Sequence, residues 1–364
     1  MGKTEQTQIC LSDVWTITPL HPAEDGAHSL PGKKFFEWWY FEAHFDNGYY
    51  LVMAFHSRLF NVISRPAVVT AHLYGPGGQK TIEVAAFGPH ATVINVGKCA
   101  VQLGASRVWD AGEYYGVHIE QGAVHAELEY RSEIAGVQVG TGALFVNPVN
   151  GQSFHWIIPL PRARVSGYLW IDGQRIAVNG VGYHDHNWGN LDLYRVIRRW
   201  TWGHVIADNH TLIFWDIVGR GATDSRVTGA ILWQGAAVLP QAGQPDLHFS
   251  TSASASGANV QQLDSIRMHG PNATSGAQMT LQNQRILDEI DFAQPRSARE
   301  ILRWVLEKAY FLTARVPLIG RLVKQYVGCG TYYRLLAECE LQVATGAYRS
   351  PAFYEMMDFG ELRS

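Results

Sequence analysis

The stretch Gly182-Tyr183-His184-Asp185-His186-Asn187-Trp188-Gly189-Asn190 is the densest mixture of titratable and aromatic side chains in the sequence. Three chemistries are open to it. For metal binding, His184 and His186 alternate, so on a strand they share one face while Asp185 points away. Two imidazoles are one or two ligands short of a zinc site, with His155 and His204 as further candidates. For nucleophilic hydrolysis the stretch lacks a nucleophile: no Gly-x-Ser-x-Gly elbow occurs and no Ser or Cys adjoins the cluster. For acid chemistry, Asp185 sits among Tyr183, Trp188 and other rings. Desolvation disfavours the anion, so this carboxyl can hold a proton near neutrality. Such an acid can protonate an alkene. Desolvated aromatic faces then stabilise the carbocation by about 2 kcal/mol each. Against all three stands a structural reading, in which Tyr183–Trp188 is a buried hydrogen-bonded corner.

A second motif, Glu37-Trp38-Trp39-Tyr40, has the same two readings. Glu37 is either a carboxylate pinned by hydrogen bonds within a packed core, or a second acid or base beside two indoles. The two motifs need scaffolding, and the chain around them reads as β. Short apolar or alternating runs recur at Tyr49–Phe55, Ala67–Tyr74, Thr81–Ala86, Tyr114–Ile119 and His125–Tyr130. They return at Thr201–Ile206, Thr211–Ile217, Gly229–Trp233 and Met279–Leu281. Turn residues separate them: Asp46–Gly48, Gly75–Gly78, Asp172–Gly173 and Asp208–Asn209. Many short strands joined by such turns predict a sandwich or barrel. The Gly75–Lys80 run lacks the Gly-Lys-Ser/Thr ending of a phosphate loop and reads as a β-turn.

The chain also echoes itself. Trp38-Trp39-Tyr40-Phe41 leads through Asp46-Asn47-Gly48 to Leu51-Val52-Met53. Trp200-Thr201-Trp202-Gly203 leads through Asp208-Asn209-His210 to Ile213-Phe214-Trp215. The offset of 208 − 46 = 162 residues places Trp38 on Trp200 and Tyr40 on Trp202. That predicts two similar β domains, 1–178 and 179–364, with the His184–Asp185 cluster in the connection leading into the second. One segment is helical by pattern. A capping box at Ser297–Glu300 precedes Ile301, Trp304, Val305, Lys308 and Leu312 at helical spacing. The basic residues of this helix, about 297–325, are either a solvated face or a membrane-surface contact.

Composition narrows the class. In 364 residues, 29 Lys and Arg against 32 Asp and Glu leave a charge of −3, which gives no basis for nucleic-acid binding through bulk charge. Only 17% of residues are charged and 12% are aromatic, a balance that suits a ring-lined apolar pocket. The four Cys have no CxxC spacing, the N-terminus lacks a signal-peptide core, and no run of about 18 apolar residues appears. A reducing, cytoplasmic setting is expected.

At its two motifs the sequence resembles the carotenoid 1,2-hydratase (hydroxyneurosporene synthase) family. That family's superfamily has two lipocalin-like barrels side by side and includes Diels–Alderases acting on polyene polyketides. The resemblance implies an all-β fold of two lipocalin-like antiparallel barrels, a long hydrophobic polyene substrate and no redox cofactor; no cofactor and no metal are expected. It implies that Asp185 is the proton donor, with Tyr183, His155 and Trp156 as further catalytic residues. Trp38, Trp39, Tyr40, Glu37, His184, Trp188, Trp200 and Trp202 are then expected around the substrate. Hydration or acid-catalysed cyclisation is the leading expectation. The alternatives are a pericyclase, in which pocket shape dominates, and a non-catalytic carrier of a lipophilic ligand. Oligomeric state is open.

Overall fold

A computed structural model describes residues 16–32, 34–59, 66–147, 150–220, 226–253, 259–272, 275–291 and 330–359. The helical expectation at 297–325 lies outside the described residues. The chain divides into two compact units, 1–193 and 194–364.

The first unit carries β1 (Ile17–Pro19), β2 (Phe36–Phe45), β3 (Tyr50–Arg58), β4 (Ala67–Tyr74), β5 (Lys80–Phe87), β6 (Thr92–Ile94) and β7 (Ala100–Leu103). It continues with β8 (Ser106–Asp110), β9 (Tyr115–Gln121), β10 (Val124–Ser132), β11 (Val137–Asn147), β12 (Gln152–Ile171) and β13 (Gln174–Gly189). The main sheet runs β5-β4-β3-β2-β13-β12-β10-β9-β8-β7-β6 and curls into a nearly closed barrel. The curl brings edge strand β5 to the β9–β10 turn, where Ala123 N donates to Glu83 Oε1 at 3.0 Å. Alternation explains the filling: Trp39, Phe41, Ala43 and Phe45 of β2 point inward with Met53 and Phe55 of β3 and Val69 of β4.

The second unit carries β14 (Ile197–Ala207), β15 (His210–Gly219), β16 (Arg226–Gln234), β17 (Ala237–Val238) and β18 (Asp246–Ala253). After them come β19 (Asn259–Met268), β20 (Ala277–Asp291), β21 (Thr331–Val343) and β22 (Gly346–Asp358). Their order is β17-β16-β15-β14-β22-β21-β20-β19-β18, an open half-barrel. Its own core gathers Val205, Leu212, Phe214, Leu263, Leu335 and Tyr354. No helix among the described residues is long and apolar enough to cross a membrane.

The expected strands and turns fall into place. Asp172 and Gly173 both have positive φ (50° and 77°), as a two-residue hairpin turn requires. The domain boundary differs from the expected 178/179. The Asp172–Gly173 turn belongs to the β12–β13 hairpin, and β13 returns to pair with β2 before the chain leaves the first unit. The Tyr183–Trp188 cluster therefore lies on a central strand rather than in a connection.

The internal echo is topological as well as sequential. In each unit the aromatic strand pairs on one side with its hairpin partner and on the other with the last strand of that unit. Tyr40 lies opposite Asp185, and its counterpart Trp202 lies opposite Glu355.

Candidate active site

The β12–β13–β2 ladder sets the site. In β13, alternation sends Tyr183, Asp185 and Asn187 to one face and His184, His186 and Trp188 to the other. Register places Trp38, Tyr40 and Glu42 of β2 opposite Asn187, Asp185 and Tyr183. On β12, Phe154 and Trp156 share their face. The β12–β13 register shifts on both sides of Leu160, which stands between Pro159 and Pro161. Neither proline has an N–H to give the ladder, so the pairing is irregular beside His184 and Asp185.

On the first face, Asp185 is 3% exposed and three donors converge on it. Trp156 Nε1 donates to Oδ2 at 3.1 Å, Tyr183 OH donates to Oδ2 at 2.9 Å, and Asn187 Nδ2 donates to Oδ1 at 2.7 Å. Burial pushes the Tyr183 phenol well above its ordinary range, and the charge and bond of Asp185 add to that, so Tyr183 keeps its proton. Phe36 stacks on Trp38 nearby at 5.6 Å between ring centres, and Phe154 lies tilted to Trp38 at 6.2 Å. Tyr40 meets Tyr183 edge-on at 6.4 Å and donates to Glu42 Oε2 at 3.1 Å.

The opposite face holds a buried ionic cluster. His184 Nδ1 faces the Tyr40 carbonyl at 2.8 Å and its Nε2 faces Asp25 Oδ2 at 3.0 Å. His186 stands between two carboxylates: Nδ1 is 3.2 Å from Asp25 Oδ1 and Nε2 is 3.3 Å from Glu37 Oε1. Burial opposes ionisation of Asp25, but His184 and His186 overcome it and hold its carboxyl far below the usual range. Glu37 behaves likewise: bonds from His186 and His28 outweigh burial and hold it at about 2. Burial lowers His186, yet bonds to Asp25 and Glu37 leave it above its ordinary value. The imidazoles stack on the barrel lining, His184 on Phe41 at 3.8 Å and His186 on Trp39 at 4.3 Å.

The expected catalytic set is thus brought together in part. Asp185, Tyr183 and Trp156 meet; His155 does not join them. Alternation puts His155 on the other face, where it stacks 4.9 Å from Trp188 and contacts Ser153 Oγ at 3.0 Å. Of the expected substrate residues, Trp38 and Tyr40 share the Asp185 face, while Glu37, Trp39, His184 and Trp188 belong to the opposite one. Trp200 and Trp202 lie in the second unit. There Trp202 Nε1 donates to Glu355 Oε2 at 3.1 Å, and Arg334 donates to Glu355 Oε1 at 3.0 Å and to Asp288 Oδ2 at 2.9 Å. The equivalent carboxylate of the second unit is therefore held by a guanidinium.

Sequence reasoning missed Asp25, His28 and Asn187. Asn187 was within reach, because it sits two residues from Asp185 inside the motif. Asp25 ends a short 3-10 turn, Pro22–Asp25, whose capping box pairs His21 with Glu24. Nothing local connects that turn to a strand some 160 residues later.

The family model for carotenoid hydratase CrtC matches residues 74–262, just over half of the chain. The chain belongs to the carotenoid hydratase family. The matched region contains Trp156, Tyr183 and Asp185. This hydratase-family chain is 35% identical over 74 residues to hydroxyneurosporene dehydrogenase of Chlorobaculum tepidum, covering 19% of each chain. It is 24% identical over 208 residues to the quinolone epoxide rearrangement protein asqO of Emericella nidulans, covering 51% of this chain and 54% of the other. The chain thus spans between about a fifth and about half of the length of these curated relatives. The structure of kievitone hydratase from Nectria haematococca superposes with a TM-score of 0.59 at 14% identity, covering 98% of both chains. That likeness concerns the fold.

Proposed function

We propose that this hydratase-family protein adds water to, or cyclises, a long hydrophobic polyene by acid chemistry centred on Asp185. The observation that carries the reading is the convergence of Trp156, Tyr183 and Asn187 on a buried carboxyl whose face is walled by rings. A proton passes from the Asp185 carboxyl to an alkene carbon. Trp38, Tyr40 and Trp156 offer π-faces to the resulting cation. A water oxygen attacks the cation and its surplus proton returns to the carboxylate, so the net change is addition of water. Attack by an internal double bond, followed by proton loss to Asp185, gives a ring instead.

Asn187 is suited to the proton bookkeeping. With its amide nitrogen toward Asp185, all three neighbours donate and the carboxyl only accepts. Asn187 Oδ1 is buried with no hydrogen-bond partner. A half-turn of that amide presents this oxygen to Asp185, which can then carry a proton and donate it there. Tyr183 and Trp156 remain bonded to Oδ2 in both arrangements.

The similarity to a quinolone epoxide rearrangement protein supports the cyclase branch, since rearranging an epoxide also calls for a proton on a poorly basic centre. Incubation with an acyclic polyene in heavy-oxygen water tests the reading. Label in an alcohol product supports hydration, and an unlabelled ring supports cyclisation. An unchanged ligand after prolonged incubation identifies a carrier and overturns both.

A further inference from the structure

We propose that His28, Glu37 and His186 bind one divalent transition-metal ion of the zinc class, at the end of the first barrel where β2 starts and β13 finishes. Glu37 Oε1 stands 3.3 Å from His186 Nε2 and 3.5 Å from His28 Nδ1, and the three donor atoms lie within 4.8 Å of one another. A tetrahedral ion with bonds of about 2.0–2.1 Å holds its ligand atoms about 3.3–3.4 Å apart. The two measured edges match that spacing with no backbone movement.

A second observation points to a ligand. His28 Nδ1 is a buried nitrogen without a well-formed hydrogen bond, its contact with Glu37 Oε1 being long at 3.5 Å. An ion between them would give that nitrogen a partner, while Glu37 Oε1 also accepts from the His28 backbone N–H at 2.6 Å. The surroundings have the character of an outer shell that orients ligands. Asp25 Oδ1 backs the far nitrogen of His186 at 3.2 Å, and Ser57 Oγ donates to Glu37 Oε2 at 2.7 Å. The Trp188 ring lies parallel to the His28 ring at 3.6 Å.

Two imidazoles and one carboxylate suit zinc, whereas magnesium and calcium prefer oxygen donors. Three protein ligands leave a fourth position for water. The His28 side chain is 26% exposed, which provides an entry path. A rival trio, Asp25, Cys99 and His184, is wholly buried and offers an incoming ion no such path. Binding at His28, Glu37 and His186 clamps the segment after the Pro22–Asp25 turn to two strands. The site faces away from Asp185, so it stands or falls independently of the proposed acid chemistry.

Cobalt(II) titrated into the full-length, chelator-stripped protein tests this. One equivalent should bind, giving the intense visible bands of a four-coordinate ion, and zinc should displace it. His28→Ala and Glu37→Gln should each weaken binding by at least about 100-fold, because each removes a ligand, whereas an outer-shell change costs about 10–100-fold. His155→Ala, which removes a ring stacked on Trp188 but no ligand, should bind as wild type does. The proposal is overturned if wild type gives no four-coordinate cobalt spectrum, or if that spectrum survives both His28→Ala and Glu37→Gln.

Discussion

Replacing Asp185 with Asn separates its chemistry from its structural role. The substitution keeps the side-chain shape but removes the acid. One Asn oxygen can still accept from both Trp156 and Tyr183, which share Oδ2 at present. The new amide nitrogen would face the Asn187 amide nitrogen, but Asn187 can turn its unpartnered Oδ1 to meet it. All three contacts then survive as neutral bonds. Because the acid that the mechanism needs is itself neutral, neutral bonds of about 1 kcal/mol each replace neutral bonds, and the fold should lose no more than about 1 kcal/mol. General acid catalysis contributes about 10²–10⁴-fold, or about 3–5 kcal/mol of barrier. Asp185→Asn should therefore fold, melt slightly lower and lose at least about 100-fold in kcat/KM. Asp185→Leu would strand three buried donors at about 1–3 kcal/mol each and is the weaker test, because it threatens the fold itself. The assay is product formation from an acyclic polyene, with urea unfolding run in parallel. An Asp185→Asn protein within a few-fold of wild-type activity refutes acid catalysis by this group and leaves pericyclic shape catalysis as the better account.

Three other expectations follow from the geometry. Trp156→Phe keeps the ring but deletes the N–H on Asp185, so kcat should fall about tenfold or more, while His155→Ala should change kcat less than threefold; steady-state kinetics of the two variants checks this. Glu355→Gln leaves Arg334 buried beside one carboxylate instead of two and should cost about 3 kcal/mol in urea unfolding. Acid should destabilise the fold: burial pushes His56 down to about 3, and burial with the nearby His28 charge pushes His155 down to about 4. Both lie below the unfolded value of about 6.5, so the unfolded chain binds more protons as pH falls through that window. Near pH 5 each histidine then costs about 2 kcal/mol. His186 shifts the opposite way, its contribution being present in acid and lost as pH rises through its raised value, so it cannot cause this acid loss. A fall in stability from about pH 7.5 to pH 5 that is no smaller in His56→Gln and His155→Gln than in wild type would contradict the assignment for His56 and His155.

The sequence made the architecture readable where physics is local. Asp46–Gly48, Gly75–Gly78, Asp172–Gly173 and Asp208–Asn209 are all turns, because positive φ at particular positions demands those residue types. The offset between the two aromatic strands also survives, since a hairpin that pairs with the last strand of its unit imposes the same apolar pattern twice. What could not be read was register. The β12 strand carries Phe154, His155 and Trp156 in a row, and which of them meets Asp185 depends on where β12 lies against β13. Pairing of Trp156 with Asn187, together with the shifts beside Pro159 and Pro161, settles it in favour of Trp156. The domain boundary failed for a related reason: an interval of 162 residues measures the repeat but does not say where one unit ends.

Strand alternation also resolves a tension in the motif itself. Read as a string, Tyr183-His184-Asp185-His186-Asn187-Trp188 offers an acid and two metal-type ligands in the same place. As a central strand it cannot deliver them together, because neighbouring side chains leave on opposite faces. One face collects Tyr183, Asp185 and Asn187, which with Trp156 make a carboxyl ringed by hydrogen-bond donors. The other collects His184, His186 and Trp188, to which the Pro22–Asp25 turn and β2 add carboxylates. The equivalent position in the second unit, Glu355, is tied to Arg334 and Trp202. A carboxylate fixed to a guanidinium has little freedom to exchange a proton, whereas one held by a phenol, an indole and a reversible amide can pass between accepting and donating. That contrast, at matched positions of a repeated topology, favours Asp185 over Glu355 as the proposed acid.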